Sequence, residues 1–182
     1  MSQSFRFGLY ALIPVIVFLD QLTKWAVLNE PTFRALACLD GTTYCGRIEV
    51  SSVFDLSMVW NRGVSYGALQ SDGAMRWVLV AATLAIAIGF AVWLVRAGRR
   101  WTAIALALVV AGAIGNVIDR IRFGAVVDFL DFSDLYFIWV FNVADAAITV
   151  GAVLLFADQF LMSREEKAAQ KAAQTETGED AL

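Results

Sequence analysis

The stretch Gly112–Asp145, GAIGNVIDRIRFGAVVDFLDFSDLYFIWVFNVAD, determines how the rest of the chain is interpreted. It places polar side chains inside or beside segments whose composition is otherwise that of a membrane span. A carboxylate or guanidinium at membrane depth costs at least about 2.5 kcal/mol, so such residues usually face a protein interior or a wet cavity and serve a function. The polar positions are Asn116, Asp119, Arg120, Asp128, Asn142 and Asp145.

The composition is that of a membrane protein with a single domain of 182 residues. Hydrophobic residues make up 59% of the chain and charged residues 17%, whereas soluble domains are about 45 to 50% apolar. The formal charge of -3 argues against a nucleic-acid binder, which needs a clustered basic face to neutralise phosphates.

The chain contains no histidine. This removes the zinc motifs that depend on histidine and every Ser-His or Cys-His catalytic arrangement. Hydrolysis by this chain would therefore depend on carboxylates, lysine or cysteine, and Asp128 and Asp145 are the candidate catalytic pair. No metal or other cofactor is expected.

Four apolar runs predict four transmembrane helices, each about as long as the 20 residues that a bilayer requires. Three arginines in the short segment 96–100 mark it as cytoplasmic, because charge density matters most in short connections. Both termini are then cytoplasmic, and the polar loop 29–75 lies outside. The charged segment 163–182 predicts a solvated helix that runs into a flexible tail. The expected spans are residues 7–27, 77–95, 101–118 and 137–157.

The long loop carries a strand signal. Large apolar side chains recur at every second position, at Phe54, Leu56, Met58 and Trp60, which is the period of a half-buried strand with one wet face. The alternating positions are Asp55, Ser57, Val59 and Asn61. The tripeptide Asn61-Arg62-Gly63 then predicts a turn. Cys38 and Cys45 in the same loop are equally compatible with a disulfide and with two thiols.

Asp20 and Lys24 lie four residues apart in the first span, so they share a helix face and can pair. We interpret them as a structural ion pair that anchors the span at the interface, with the lysine extending outward to water. Direct catalysis is the less favoured interpretation. With the predicted topology, this pair and the acids of the last two spans all lie toward the outer leaflet.

Asn116 and Arg120 also lie four residues apart on one helix face. This spacing is equally compatible with polar contacts between spans and with binding of a substrate backbone and the acids. Asp119 is expected to pair with an arginine. Asp131 and Asp134 are expected to be solvated loop acids.

Five stretches of the sequence resemble lipoprotein signal peptidase, also called signal peptidase II, a family of bacterial intramembrane aspartyl proteases. The order of the stretches along the chain fits that family as well. Together they cover most of the chain, and five motifs in order are far more specific than one. The stretches are Asp20-Gln21-Leu22-Thr23-Lys24, Asn61-Arg62-Gly63-Val64-Ser65-Tyr66-Gly67, Gly112–Arg120, Val126-Val127-Asp128-Phe129 and Phe141-Asn142-Val143-Ala144-Asp145.

The resemblance implies a mainly helical membrane protein with four transmembrane helices, a small extracytoplasmic sheet that cradles substrate and a short amphipathic helix. The long first loop would supply both the sheet and the short helix. The implied reaction, in the inner membrane, removes the signal peptide from a diacylglyceryl-modified prolipoprotein just before its lipidated cysteine. A monomer is expected, with the antibiotic globomycin as an inhibitor.

The resemblance also implies roles for individual residues. Asp128 and Asp145 match the two catalytic aspartates, which would activate a water by sharing a proton. The other matching positions are substrate-binding or supporting residues: Asn61, Gly63, Asn116, Arg120, Asn142, Asp20 and Lys24.

Two other functions are compatible with the residues alone. Lys24 could act as base for a serine such as Ser51 or Ser65, because a Ser-Lys pair works without histidine. A small transporter or channel could use the buried acids as proton or cation sites. The sequence shows no inverted repeat and no matched pair of broken helices, features that transporters often have.

Overall fold

The computed structural model describes residues 3–36, 44–63 and 74–179, with side chains described for 8–36, 44–63 and 76–164. Its helices are α1 (Gln3–Leu28), α2 (Pro31–Ala35), α3 (Ala74–Arg96), α4 (Arg100–Phe123) and α5 (Val143–Glu179). Within the described residues, four helical segments are long and apolar enough to cross a membrane: Gly8–Leu28, Arg76–Arg96, Arg100–Phe123 and Val143–Arg164. The chain is therefore a multi-pass membrane protein.

Helix α4 lies at the centre of the bundle and contacts α1, α3 and α5. Its buried face is rich in alanine and glycine, and small residues let helix backbones approach closely in a membrane. At Gly112 a Cβ atom would overlap the backbone carbonyl oxygen of Ala144 in α5, and at Gly115 it would lie 2.6 Å from Asp20 Oδ2 in α1. These two glycines let α1 and α5 pack closely against the middle of α4.

The prediction that the fourth span begins near residue 137 is wrong. Phe137–Phe141 forms a strand, and α5 begins only at Val143. The run FIWVF is as apolar as a membrane helix, so hydropathy alone does not separate the two structures. The helix starts where it does because Asn142 caps it, and its backbone remains helical from there to Glu179.

The sheet contains four antiparallel strands in the order β1 (Tyr44–Glu49), β2 (Asp55–Asn61), β3 (Val126–Phe132) and β4 (Phe137–Phe141). The expectation that the first long loop supplies the whole sheet is wrong, because that loop contributes only β1, β2 and the short helix α2. The connection between α4 and α5 supplies β3 and β4. The sheet therefore joins the two loops at one end of the bundle.

The wet face predicted for β2 is wrong as well. Asp55 and Ser57 are buried, because Arg47 forms an ion pair with Asp55 and the hydroxyl of Ser57 donates a 2.6 Å hydrogen bond to Asp131. Asp131 is accordingly a buried strand residue and not a solvated loop acid. Burial alone would raise the pKa of Asp131, but hydrogen bonds from Ser57 and Ser133 outweigh it and lower that pKa.

One face of the sheet packs against the ends of α1 and α2. Met58, Trp60 and Val127 on this face form a buried cluster with Val27 and Phe33. Because successive side chains of a strand point to opposite faces, the residues that alternate with them lie on the other face. That second face carries Asn61 and Asp128.

Candidate active site

Asp128 lies in the middle of the sheet, paired with Val59 of the neighbouring strand. Its side chain is only 3% exposed. Oδ1 accepts a 2.7 Å hydrogen bond from Asn142 Nδ2, and Oδ2 accepts one of 3.0 Å from Asn61 Nδ2. Both carboxylate oxygens are thus held by neutral amide donors.

Asp145 lies in the first turn of α5. Its Oδ1 accepts a 2.7 Å hydrogen bond from Asn116 Nδ2 of α4. Its backbone N–H donates a 2.8 Å hydrogen bond to Asn142 Oδ1, and the carbonyl oxygen of Asn142 accepts a hydrogen bond from the N–H of Ala146. Asn142 is therefore the N-cap of α5, in the usual geometry in which the cap side chain binds the third N–H of the helix.

Asn142 is fully buried and connects the two acids. Its Nδ2 donates to Asp128 and also lies 3.3 Å from Asn116 Oδ1, while Asn116 in turn donates to Asp145. The structure thus joins Asp128 and Asp145 through two asparagine side chains. The predicted acid pair is brought together, although its members come from a strand and a helix.

The two carboxyl groups interact electrostatically. Burial, followed by the negative charge of Asp145, raises the pKa of Asp128 to about 7. Two nearby carboxylates cannot both ionise cheaply, so such a pair retains one proton at a pH where isolated acids are ionised. The site can therefore supply one acid and one base at neutral pH.

A buried cluster of ions lies next to this pair. Lys24 Nζ is 2.8 Å from Asp20 Oδ2 and 2.8 Å from Asp119 Oδ2, and all three side chains are at most 2% exposed. The predicted pairing of Asp20 with Lys24 is confirmed, but the extension of Lys24 toward water is wrong. The predicted pairing of Asp119 with an arginine is also wrong, because Lys24 and the amide of Gln21 bind it.

The buried ions hold the two elements that carry the acid pair. Asp20 Oδ1 accepts a 2.9 Å hydrogen bond from the backbone N–H of Ala144, in the first turn of α5. Asp119 Oδ2 accepts one of 3.1 Å from the backbone N–H of Val127, next to Asp128. A carboxylate at a helix N-terminus is favourable because the first N–H groups of a helix lack internal partners.

Gln21 is a supporting residue that the sequence interpretation missed. Its Nε2 donates a 2.9 Å hydrogen bond to Asp119 Oδ1 and lies 3.3 Å from the carbonyl oxygen of Gly115. The available signal was its position between Asp20 and Lys24 in the first family-like stretch. A neutral glutamine in an apolar span is a weaker signal of function than a charged residue.

Arg120 and Gly63 contribute at the edge of the site. The Nη1 of Arg120 lies 3.5 Å from the carbonyl oxygen of Asn116, and its Nε is buried with no hydrogen-bond partner among the described residues. Gly63 has a φ of 126°, which residues with a side chain rarely adopt. Its N–H donates a 3.1 Å hydrogen bond to Asn61 Oδ1, and this bond orients the Asn61 amide toward Asp128.

The serine-lysine alternative finds no support at Ser51. The Ser51 hydroxyl bonds with Phe54 and Val53 in the turn between β1 and β2, whereas Lys24 contacts Asp20, Asp119 and Asn116. Ser65 and Cys38 lie outside the described residues. In the part of the chain that the structure describes, no cluster of three His, Cys, Asp or Glu side chains is placed to hold a metal ion.

The fold and these contacts define a four-span membrane protein in which two acids, Asp128 and Asp145, are joined through asparagine side chains at the sheet end of the bundle. Residues 12–161 match the family model described as signal peptidase (SPase) II. The chain belongs to the signal peptidase II family and is a protease.

Curated relatives agree with this assignment. The chain is 42% identical over 159 residues to a lipoprotein signal peptidase of Caulobacter vibrioides, covering 87% of this chain and 89% of that protein. It is 44% identical over 158 residues to one of Methylorubrum extorquens, covering 85% and 86%.

Two solved structures, both described as bacterial membrane enzymes determined by the in meso method, share the fold. Their TM-scores are 0.68 and 0.66, each at 24% sequence identity. The matches cover 86% and 84% of this chain, and 89% and 92% of the solved chains. At this identity the likeness concerns the fold alone.

Proposed function

We propose that this protein is an aspartic endopeptidase that removes signal peptides from diacylglyceryl-modified prolipoproteins, cutting just before the lipidated cysteine. The family and its relatives, named lipoprotein signal peptidases, support removal of signal peptides from prolipoproteins. The observation that carries the aspartic mechanism is the connection of Asp128 to Asp145 through Asn142 and Asn116.

In the proposed reaction the two acids divide the roles of base and acid. Asp128, with its raised pKa, carries the shared proton and polarises the scissile carbonyl by donating a hydrogen bond to it. Asp145 accepts a proton from the attacking water. The protonated member of the pair then gives a proton to the departing amine, so the protons balance and no covalent intermediate is required.

The asparagines fix the geometry without titrating. A positioned amide donor costs no reorganisation during the reaction and holds a carboxylate in one orientation. Asn61 and Asn142 hold Asp128, and Asn116 holds Asp145. Arg120, with its buried unpaired Nε, is the proposed donor to a substrate backbone carbonyl.

The placement of the pair suits a lipid-anchored substrate. Asp145 lies in the first turn of a spanning helix and Asp128 in the adjoining sheet, so both lie at one end of the bundle. The arginines at 96, 99 and 100 lie at the other end. We assign that end to the cytoplasm, with both termini, which places the acids toward the outer leaflet of the inner membrane. Acyl chains of a substrate then remain in lipid during cleavage.

The decisive experiment measures cleavage of a lipidated prolipoprotein by the purified protein in detergent or nanodiscs. Asp128→Asn and Asp145→Asn should each reduce the rate to background, with a monodisperse elution profile and a Tm close to that of the parent protein. Asp134→Asn is the matched control, because Asp134 is an acid of the same connection whose side chain is 40% exposed. Its activity should remain.

The same assay tests specificity and inhibition. The prolipoprotein without its diacylglycerol should not be cleaved, and globomycin should inhibit cleavage of the lipidated form. Substantial activity in either purified Asp→Asn variant would refute the aspartic mechanism. Cleavage of the unlipidated substrate at an equal rate would refute the proposed specificity.

A further inference from the structure

A cavity of about 360 Å³ lies at the sheet end of the bundle, between the ends of α1 and α4. This volume is within the range of about 300 to 1,000 Å³ that is typical of small-molecule sites. The lining residues come from α1, its connection to α2, α2 itself, β2 and α4: Trp25, Leu28, Asn29, Arg34, Trp60, Arg122 and Phe123.

The cavity is separate from the acid pair. Trp60 of its lining pairs with Val127, whereas Asp128 pairs with Val59 one position away. Adjacent residues of a strand point to opposite faces, so the sheet stands between the cavity and Asp128. The proposed chemistry uses no residue of this lining.

The polar lining is positively charged. Arg122 donates a 3.2 Å hydrogen bond to the neutral Gln21 Oε1, and neither Arg34 nor Arg122 forms an ion pair with any described residue. The acid one turn before Arg34 is Glu30. Its carboxylate caps α2 by accepting from the backbone N–H groups of Thr32 and Phe33, at 2.6 and 3.2 Å. Two guanidinium groups therefore remain for an anionic ligand.

An apolar stripe on α1 leads to this cavity. Phe18, Leu22 and Trp25 follow helical spacing and are 64%, 44% and 61% exposed, so they form one lipid-facing row along the span. The row ends at Trp25, which also lines the cavity. Tryptophan is enriched at the level of lipid headgroups. A ligand that follows this surface has an apolar chain as well as a charged group.

We propose that the cavity binds the phosphate headgroup of an anionic phospholipid, held by Arg34 and Arg122, with an acyl chain along Phe18, Leu22 and Trp25. Arginine binds phosphate oxygens bidentately, and basic pockets between membrane helices bind anionic headgroups. A zwitterionic headgroup brings a cation that these two arginines repel. Free phosphate leaves the apolar row unused.

The test is native mass spectrometry of the full-length, delipidated protein in detergent, titrated with phosphatidylglycerol or with phosphatidylcholine of identical acyl chains. Phosphatidylglycerol should bind at least tenfold more tightly. The double variant Arg34→Gln/Arg122→Gln should lose this preference, and Arg34→Lys/Arg122→Lys should retain more of it. Arg96→Gln is the matched control, because Arg96 is an exposed arginine at the end of the bundle away from the cavity. This variant should still prefer phosphatidylglycerol to phosphatidylcholine.

A second variant separates lipid binding from folding. Trp25→Ala changes no charge at a side chain that is mostly exposed, and it should weaken phosphatidylglycerol binding several-fold without changing the Tm measured in detergent alone. Equal binding of the two lipids, or full binding by the folded double glutamine variant, would overturn the proposal. So would displacement of phosphatidylglycerol by millimolar inorganic phosphate. The readout is lipid occupancy, so it is independent of peptide cleavage.

Discussion

Asn142 Nδ2 lies 3.3 Å from Asn116 Oδ1, and each of these asparagines donates a 2.7 Å hydrogen bond to a different acid. The separation of Asp128 and Asp145 is therefore set by two neutral side chains. Asn142 adds a second function, because its Oδ1 caps α5 through the N–H of Asp145. One residue thus determines both where the helix begins and how its acid faces the sheet.

Substitution of Asn142 should separate its two functions. Serine and asparagine are similarly good N-caps, whereas alanine costs about 1 kcal/mol. Neither serine nor alanine has an amide that reaches Asp128. We therefore expect Asn142→Ser to be about 1 kcal/mol more stable than Asn142→Ala in detergent denaturation. Both variants should lose activity about 100-fold, because misplacement of a catalytic group by about 1 Å has that effect. Wild-type turnover in Asn142→Ser would contradict the positioning function.

Gly112→Ala should weaken the packing of α4 against α5. The added Cβ atom would overlap the carbonyl oxygen of Ala144, so the helices must separate near Asp145. Overpacking of this kind costs about 1 to 3 kcal/mol, and the turnover rate should fall as well. Gly89→Ala in α3 is the control, because a Cβ there meets no atom within 4 Å and alanine favours a helix. Thermal unfolding of the two variants checks the prediction, and an unchanged Tm for Gly112→Ala would contradict it.

Lys24→Met should be among the most destabilising single substitutions. It removes the cation between Asp20 and Asp119, and an uncompensated buried charge costs about 3 to 5 kcal/mol. The double variant Lys24→Met/Asp119→Asn should recover part of this loss. The amide introduced at position 119 keeps an acceptor for Val127 N–H, and the remaining Asp20 faces the N-terminus of α5. Strictly additive effects, measured as free energies of unfolding, would contradict the shared ion cluster.

The stability of the folded protein should depend on pH through Asp128. Its pKa is about 7 in the fold, against an ordinary value of 3.8, so the folded state binds the extra proton between these values. Stability contributed by the protonated group is then lost as pH rises from about 4 to 7. We expect the Tm to fall by roughly 5 °C or more between pH 5 and pH 8 beyond any fall seen in Asp128→Asn. An equal change of Tm with pH in the two proteins would contradict the raised pKa of Asp128.

The membrane class and the number of spans were predictable because hydropathy acts over about 20 residues and averages out local detail. The boundary at Asn142 was not, because β4 is as apolar as the helix that follows it. Only the cap geometry distinguishes the two, and that depends on contacts with Asp128 and Asn116. The sequence shows an Asn followed three residues later by an Asp, a spacing compatible with a helix start, but this signal is weak without the rest of the fold.

The proximity of the two acids was predicted better than the contacts that support them. Acids inside or beside apolar spans are conspicuous, so Asp128 and Asp145 could be selected from the sequence as a candidate pair, and the structure brings them together. The partners of Asp119 and the burial of Asp131 depend on which elements become neighbours. No local pattern indicated that β3 would lie beside β2, or that a lysine of the first helix would serve two acids.

The hydrogen bond from Ala144 N–H to Asp20 links the first helix to the start of the last one. Residues from both ends of the chain must meet before the acids face each other across Asn116 and Asn142. A nascent chain with only its first three spans inserted contains Asp128 but lacks Asp145. We therefore expect proteolytic activity to appear only when the final span has inserted and has brought Asp145 to the site.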